Sequence, residues 1–126
     1  PAVFFSGDGS LGYSLADLET VARYNLKNIS LIIANDSAWG ASKSTQLRLF
    51  KRTMSVDFLP VNYAKVAESM GCRGIRVEEP EEIEDALKIA FNREKPTLVD
   101  VAVADVKDDT EYENIYSGFF DARSNI

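Results

Sequence analysis

The stretch that decides the fold is AVFFSGDGS at residues 2–10, an apolar run that ends in two glycines flanking a carboxylate. The run predicts a β-strand, and apolar residues at helical spacing follow the glycine-rich turn. A second apolar run, ISLIIA at residues 29–34, ends in Asn35 and Asp36. If the two strands are parallel neighbours, Asp8 and Asn35 lie at one edge of the sheet, beside the start of a helix. Two oxygen ligands at such a place are typical of a site for a divalent cation that holds a phosphorylated ligand.

Strands and helices alternate along the rest of the chain. Helices are predicted by apolar spacing and by capping residues at four places: residues 14–24 with Ser14 as N-cap, near 45–51, 61–70 ended by Gly71, and from Pro80 onward. Two more strands are predicted, at residues 75–77 and at residues 97–103, the second apolar except for Asp100. This alternation predicts an α/β fold, a doubly wound parallel sheet with helices on both faces. Ligands of such sheets bind beyond the carboxyl ends of the strands.

We expect residues 1–126 to form one domain, with residues 105–126 as a C-terminal extension beyond the last strand. The extension is acidic and then aromatic, and we predict that it covers the active site, contacts another subunit or straps the outer face of the domain. The chain begins at Pro1 without a methionine and enters a strand at once. We therefore expect a piece of a longer protein or a trimmed chain.

Composition excludes several classes of function. The net charge of −6 argues against nucleic acid and an anionic membrane as partners. No apolar stretch approaches the roughly 20 residues of a membrane span, and no signal peptide is visible, so we expect a cytoplasmic location. The chain has no histidine, which excludes a Ser-His-Asp triad and a His-ligated zinc site within it. Cys72 is the single cysteine, and we expect it to be buried.

The glycine-rich turn has two interpretations. Gly7, Gly9 and Gly12 match the GxGxxG fingerprint of dinucleotide-binding domains, with Asp36 at about the right distance for a ribose hydroxyl. A nicotinamide- or flavin-binding oxidoreductase domain is therefore one alternative. Asp8 is the physical objection, because a carboxylate in this turn repels a pyrophosphate unless a cation lies between them. With a cation allowed, Asp8 and Asn35 become its candidate ligands.

The second interpretation is a family resemblance. GDG at residues 7–9, followed by Asn35 about 27 residues after Asp8, resembles the diphosphate-binding signature of thiamine diphosphate enzymes. Residues 7–26 are similar to the GDGSF…QEL.TA.RYNL run of the acetohydroxyacid synthase and pyruvate decarboxylase group. Three further segments of this chain, residues 70–77, 79–83 and 96–101, resemble the closing half of the sequence pattern of that group. The resemblance covers about residues 3–104, and Ala34 stands where the family usually has a first asparagine.

The resemblance implies a Mg²⁺ site and a diphosphate site. The carboxylate of Asp8, the side-chain carbonyl of Asn35 and the backbone carbonyl of Ser37 would bind Mg²⁺. The backbone N–H groups of Gly9 and Ser10 would donate to the diphosphate of thiamine diphosphate. The implied cofactor-binding set is Gly7, Asp8, Gly9, Ser10, Asn35, Ser37 and Ala38.

The resemblance also implies the kind of enzyme. The chain would be part of an enzyme that decarboxylates a small 2-oxo acid. The absence of an acid near Ala41 favours carboligation, as in acetolactate synthase, or another fate of the carbanion over release of an aldehyde. Residues 37–42 would lie near the thiazolium, and Trp39 would either pack in the domain or form a wall of the substrate pocket.

The catalytic machinery is expected outside this chain. The glutamate that activates the cofactor would lie in a pyrimidine-binding domain of the same or another chain. We therefore predict no catalytic residue here, no turnover by this chain alone, and a homo-oligomeric enzyme. A non-catalytic domain that binds a metal-diphosphate remains a further alternative.

Overall fold

A computed structural model of the chain describes residues 2–105. Four parallel strands form one sheet: β1 (Ala2–Gly7), β2 (Ile29–Asn35), β3 (Arg73–Val77) and β4 (Thr97–Ala102). Their order across the sheet is β1-β2-β4-β3. The first and second strands are parallel neighbours, with Gly7 opposite Ala34. Both strands therefore end at the same edge of the sheet, as the sequence predicts.

Five helices connect the strands: α1 (Asp8–Leu11), α2 (Asp17–Arg23), α3 (Gly40–Phe50), α4 (Tyr63–Ser69) and α5 (Ile83–Phe91). A 3₁₀ turn, Pro80–Glu82, precedes α5 and carries a capping box in which Glu79 and Glu82 each bind the other's backbone N–H. The predicted helix start at Pro80 is thereby confirmed. Gly71 ends α4 with a φ of 92°, a left-handed conformation that glycine adopts without strain.

The helices cover both faces of the sheet, which confirms the doubly wound architecture. Residues of α1, α2 and α4 pack with one face of the sheet in a core of seven buried residues: Leu11, Leu18, Ile33, Tyr63, Ala67, Cys72 and Leu98. On the other face, α5 contributes Ala86 and Ala90 to a smaller core with Val77 and Val99. Cys72 is buried as predicted.

Two helix starts differ from the sequence prediction. Ser14 does not cap α2: the N-cap is Ala16, with no side-chain hydrogen bond, and the Ser14 carbonyl accepts the N–H of Asp17 in a preceding turn. The third helix begins at Gly40, not near Thr45. Gly40 and Ser42 have low helix propensity and the first turn carries no apolar stripe, so the sequence pattern predicts a loop there.

Within residues 2–105, no helix has the length and apolar character that a membrane span requires. The predictions for the C-terminal extension fall on residues outside the described range, apart from Asp105. In the described sheet β1 is an edge strand, and Val3, Phe4 and Phe5 on it are exposed.

Candidate functional site

A pocket of about 360 Å³ opens at the carboxyl edge of the sheet. Its walls are the turn between β1 and α1, the loop from β2 into α3, and the chain after β4. Five of the seven predicted cofactor-binding residues line it: Gly7, Asp8, Gly9, Ser10 and Ala38. The other two, Asn35 and Ser37, are not among its lining residues. The glycine-rich turn and the β2–α3 loop thus meet where a doubly wound sheet binds ligands.

The Asp8 carboxylate lies at the centre of this arrangement. The residue is 2% exposed, and its Oδ2 atom has no hydrogen-bond partner. Burial, and next the negative charge of Asp36, raise the pKa of Asp8 to about 6, against a smaller opposing hydrogen bond from the Gly9 N–H. A buried carboxylate with a partnerless oxygen and a second acid beside it is what a cation would stabilise.

The second acid, Asp36, belongs to the same pocket. Its Oδ1 accepts the N–H of Ala38 at 3.2 Å, which closes a turn over the loop. A Cβ on Gly40 would collide with Asp36 Oδ2, so glycine at that position leaves room for the carboxylate. The sequence indicates a role for Asp36 only in the dinucleotide alternative, because the proximity of Asp36 to Asp8 depends on the conformation of the loop.

The Asn35 side chain is buried and fully engaged. Its Nδ2 donates to the Val61 carbonyl at 2.9 Å and to Asp100 Oδ1 at 3.0 Å. Its Oδ1 accepts the Ser37 N–H at 3.2 Å and a long hydrogen bond of 3.4 Å from the Ser37 hydroxyl. The amide oxygen therefore faces Ser37 in the β2–α3 loop, and its predicted role as a metal ligand stays a prediction.

Ser37 has an unusual backbone. Its φ is 55°, a left-handed conformation, and its carbonyl accepts the N–H of Phe58 at 2.7 Å. A carbonyl oxygen has two lone pairs, so this bond leaves one for a further partner. The predicted metal-ligand role of Ser37 stays a prediction.

Trp39 combines the two roles that the sequence left open. It lines the pocket and also packs in the domain, with its ring 5.6 Å from that of Tyr13 and 5.4 Å from that of Phe58. A Cβ on Gly9 would lie 2.8 Å from the Trp39 ring. The second glycine of the turn is therefore required by this close contact with the indole.

An ion pair holds the far wall of the pocket. Lys43 of α3 is buried, and its Nζ donates to Asp57 at 2.6 Å and to Asp105 at 2.7 Å. Hydrogen bonds to these carboxylates raise the pKa of Lys43. The chain that leaves β4 is thereby fixed next to α3, where Val103 and Ala104 line the pocket.

The atoms near the pocket that could bind a metal ion are oxygens of several kinds. Among residues 2–105, no cluster of three or more Asp, Glu, Cys or His side chains could by itself hold a metal ion. The oxygens near the pocket come from carboxylates, an amide and backbone carbonyls. Such a mixed, incomplete set suits Mg²⁺, which usually takes one or two protein carboxylates and completes its shell with phosphate oxygens and water.

A doubly wound parallel sheet with an acidic pocket at its carboxyl edge defines the class, a cofactor-binding α/β domain. Residues 1–101 match the family described as "Thiamine pyrophosphate enzyme, C-terminal TPP binding domain". The chain belongs to this family, which confirms the resemblance read from its sequence and decides against the dinucleotide-binding alternative.

Individual relatives agree with this assignment. The chain is 39% identical over 101 residues to acetolactate synthase of Bacillus subtilis, covering 80% of this chain and 18% of the relative. It is 32% identical over 109 residues to 2-hydroxyacyl-CoA lyase 2 of Caenorhabditis elegans, covering 82% and 17%. Among solved structures, the thiamine diphosphate-dependent 4-hydroxybenzoylformate decarboxylase of Rhodococcus jostii superposes with a TM-score of 0.74 at 29% identity, covering 81% and 19%. The chain thus spans less than a fifth of the length of these relatives.

Proposed function

We propose that this chain anchors Mg²⁺ and the diphosphate of thiamine diphosphate in an enzyme that decarboxylates a 2-oxo acid and joins the product to an acceptor. The observation that carries the proposal is the buried, partnerless Oδ2 of Asp8 beside Asp36, at the turn where the family's signature begins. A divalent cation there would relieve the repulsion between the two carboxylates and between Asp8 and a phosphate.

Each residue of the site has a proposed role. Asp8, the amide oxygen of Asn35 and the Ser37 carbonyl bind Mg²⁺, and the backbone of Gly9 and Ser10 receives the diphosphate at the start of α1. When bound, the cofactor supplies the electron sink that lets the bond to a carboxylate break. The protein's part in this chain is to hold and orient the cofactor.

Carboligation is the favoured outcome because the loop after Asp36 supplies no further acid to the pocket. Residues 37–42 carry no acidic side chain, and Ala41 lines the pocket. The acetolactate synthase relative has a name that denotes a joined product, which supports the same choice.

A covering domain is part of the proposal. On the other side of Trp39 an apolar cleft of about 490 Å³ is lined by aromatic and aliphatic residues, among them Tyr13, Phe58 and Leu59, and it reaches Asp8. Tyr13 and Leu59 are more than four-fifths exposed. We propose that a pyrimidine-binding domain of the same or another chain closes this side of a homo-oligomeric, cytoplasmic enzyme, and that the present chain does not turn over alone.

Calorimetry on the full-length protein tests the proposal. Thiamine diphosphate should bind only with Mg²⁺, and Asp8→Ala and Asn35→Ala should each abolish or greatly weaken binding while circular dichroism shows an intact fold. Ser30→Ala is the matched control, since Ser30 is buried on the same strand as Asn35 but bonds to Ala90 of α5. Binding of thiamine diphosphate without metal, or normal Mg²⁺ dependence in Asn35→Ala, would contradict the proposed site.

A second assay separates an enzyme from a non-catalytic binding domain. The holoenzyme should release CO₂ from a 2-oxo acid in a panel that includes pyruvate, with a carbon–carbon-bonded product detected by mass spectrometry. Tight Mg²⁺-dependent cofactor binding without CO₂ release from any panel member would favour the non-catalytic alternative. Release of an aldehyde alone would refute carboligation.

A further inference from the structure

The carboxyl end of α3 presents apolar and basic side chains side by side. Leu49 and Phe50, its last two residues, are 58% and 65% exposed. Lys51 and Arg52, which follow directly, are exposed as well. We call these four residues the α3 patch. Neighbouring apolar side chains with charges at their rim are typical of a surface that binds another protein segment.

The backbone of the α3 patch is held in place. Lys51 ends the helix in a left-handed conformation with φ 53°, and its N–H donates to the Leu47 carbonyl at 2.9 Å. The turn that follows is bound back to the helix by Gln46, whose side chain accepts the Met54 N–H at 2.7 Å and donates to the Met54 carbonyl at 3.3 Å. A segment that binds here therefore meets a surface that is already ordered, which lowers the entropic cost of binding.

The C-terminal extension starts next to this helix. Asp105, its first residue, forms an ion pair of 2.7 Å with Nζ of Lys43 on α3. Phe50 comes seven residues, or two helical turns, after Lys43, so the two residues lie on one face of α3, about 10 Å apart along its axis. Extended chain covers about 3.3 Å per residue, so the residues that follow Asp105 by about three or four positions can reach the α3 patch.

The composition of the extension complements the α3 patch in charge and in apolar character. Residues 106–126 lie outside the described range. Residues 108–113 contain four acids and no base, which suits the two cations of the patch. Four aromatic residues complement its apolar side chains: Tyr112, Tyr116, Phe119 and Phe120. Because the extension is tethered at Asp105, its effective concentration at the patch is on the order of mM, and a separate chain has no such advantage.

We propose that the C-terminal extension binds along α3 of its own chain: the acids at residues 108–113 pair with the two cations of the α3 patch, and the aromatic residues cover its two apolar side chains. Asp105 and Lys43 form the first contact of this strap. Val103 and Ala104, the residues just before it, line the pocket at the carboxyl edge. The strap therefore fixes that wall of the pocket from outside. The inference holds for any ligand of the pocket and so stands apart from the proposed function.

Hydrogen exchange of backbone amides in the full-length protein, followed by mass spectrometry, tests the proposal. Lys51→Glu combined with Arg52→Glu replaces attraction to residues 108–113 by repulsion. We expect those amides to exchange about tenfold faster in this variant. Asp108→Lys combined with Asp109→Lys, added to the same variant, swaps the charges across the contact and should restore slow exchange.

A matched control changes the same charges elsewhere. Lys27→Glu combined with Arg93→Glu lies before β2 and before β4, at the opposite edge of the sheet, and should leave exchange at residues 108–113 unchanged. A truncation after Asp105 probes the patch itself: without the extension, the amides of residues 49–52 should exchange faster.

The exchange rates decide which segment covers the patch. Unchanged exchange at residues 108–113 in the patch variant overturns the proposal, as does failure of the swapped charges to restore slow exchange. An equal effect of the control variant assigns the effect to net charge, which also overturns it. Residues 49–52 that keep their protection after the truncation are covered by another domain or another chain, and the extension is then not their partner.

Discussion

At the scale of single residues, the site is built at a cost to the folded state. Asp8 is buried with one oxygen unpartnered and a second carboxylate nearby. Without a cation, the ionised form is disfavoured in the folded protein but not in the unfolded chain. Stability of the metal-free protein should therefore depend on pH in a window set by this carboxyl group.

The direction in which stability changes with pH follows from the two pKa values of Asp8. The ordinary value is 3.8 and the folded value is about 6, so folding takes up a proton between them. Asp8 therefore contributes up to about 3 kcal/mol to the free energy of unfolding. This contribution is fully present below pH 3.8 and is lost as the pH rises through about 6. Asp8→Asn should flatten the dependence and raise the stability of the metal-free protein at pH 8.

The measurement is the unfolding midpoint in a chelating buffer from pH 4 to pH 8, for the natural sequence and for Asp8→Asn. The natural sequence should approach the variant at the acidic end and fall below it at the alkaline end. Parallel curves across the range would show that the folded protein does not raise the pKa of Asp8.

The sequence predicts part of this site and not the rest. Asp8 and the flanking glycines can be located because a strand, a turn and a helix follow each other locally. Asp36 could not be assigned, since its proximity to Asp8 depends on the turn that its own side chain forms with Ala38. Asp100 was visible as a charge in an apolar strand, but its bond to Asn35 joins residues 65 apart in sequence. No local pattern encodes such a pairing.

At the scale of elements, close packing between α4 and β3 depends on one glycine. A Cβ on Gly74 of β3 would collide with the backbone carbonyl of Ala64 and lie 2.8 Å from its Cα. Backbone cannot yield as a flexible side chain can. The strand and helix boundaries can be predicted from periodicity and capping residues. The requirement for glycine at position 74 cannot, because it arises only from the contact between β3 and α4.

Gly74→Ala should therefore destabilise the fold by about 3 kcal/mol, the upper end of typical overpacking costs. Gly7→Ala is the matched comparison: the Gly7 backbone has φ −80° and ψ 161°, which alanine adopts freely, and its Cβ would meet only the Ala34 carbonyl at 3.9 Å. Denaturant unfolding of both variants checks this. Equal stabilities would mean that α4 can move away from β3 at little cost.

At the scale of the whole molecule, one side of the described sheet is unprotected. Val3, Phe4 and Phe5 of the edge strand β1 are 54%, 53% and 71% exposed. An exposed, apolar edge strand pairs readily with other chains. If the proposed enzyme exists, we expect another protein segment to cover this free edge.

The chain expressed by itself should accordingly self-associate. Phe5→Lys should reduce the association, measured by sedimentation velocity, because a charge on the edge strand opposes pairing. Met54→Lys adds the same charge at an exposed position in the segment after α3, outside β1, and should leave the association unchanged. An equal effect of both variants would assign the association to net charge and not to β1.

The strand order also determines when each strand can pair with its neighbour during synthesis of the chain. β2 pairs with β4, Ser30 lying opposite Thr97, and β3 pairs with nothing but β4 among the described strands. As the chain leaves the ribosome, β3 emerges with no partner and β2 has only one neighbour until the last strand is made. Long-range parallel pairing of this kind is slow and leaves apolar surface open to aggregation meanwhile. A premature stop before residue 97 would therefore remove the strand that joins the two halves of the sheet and leave β3 without a strand to pair with.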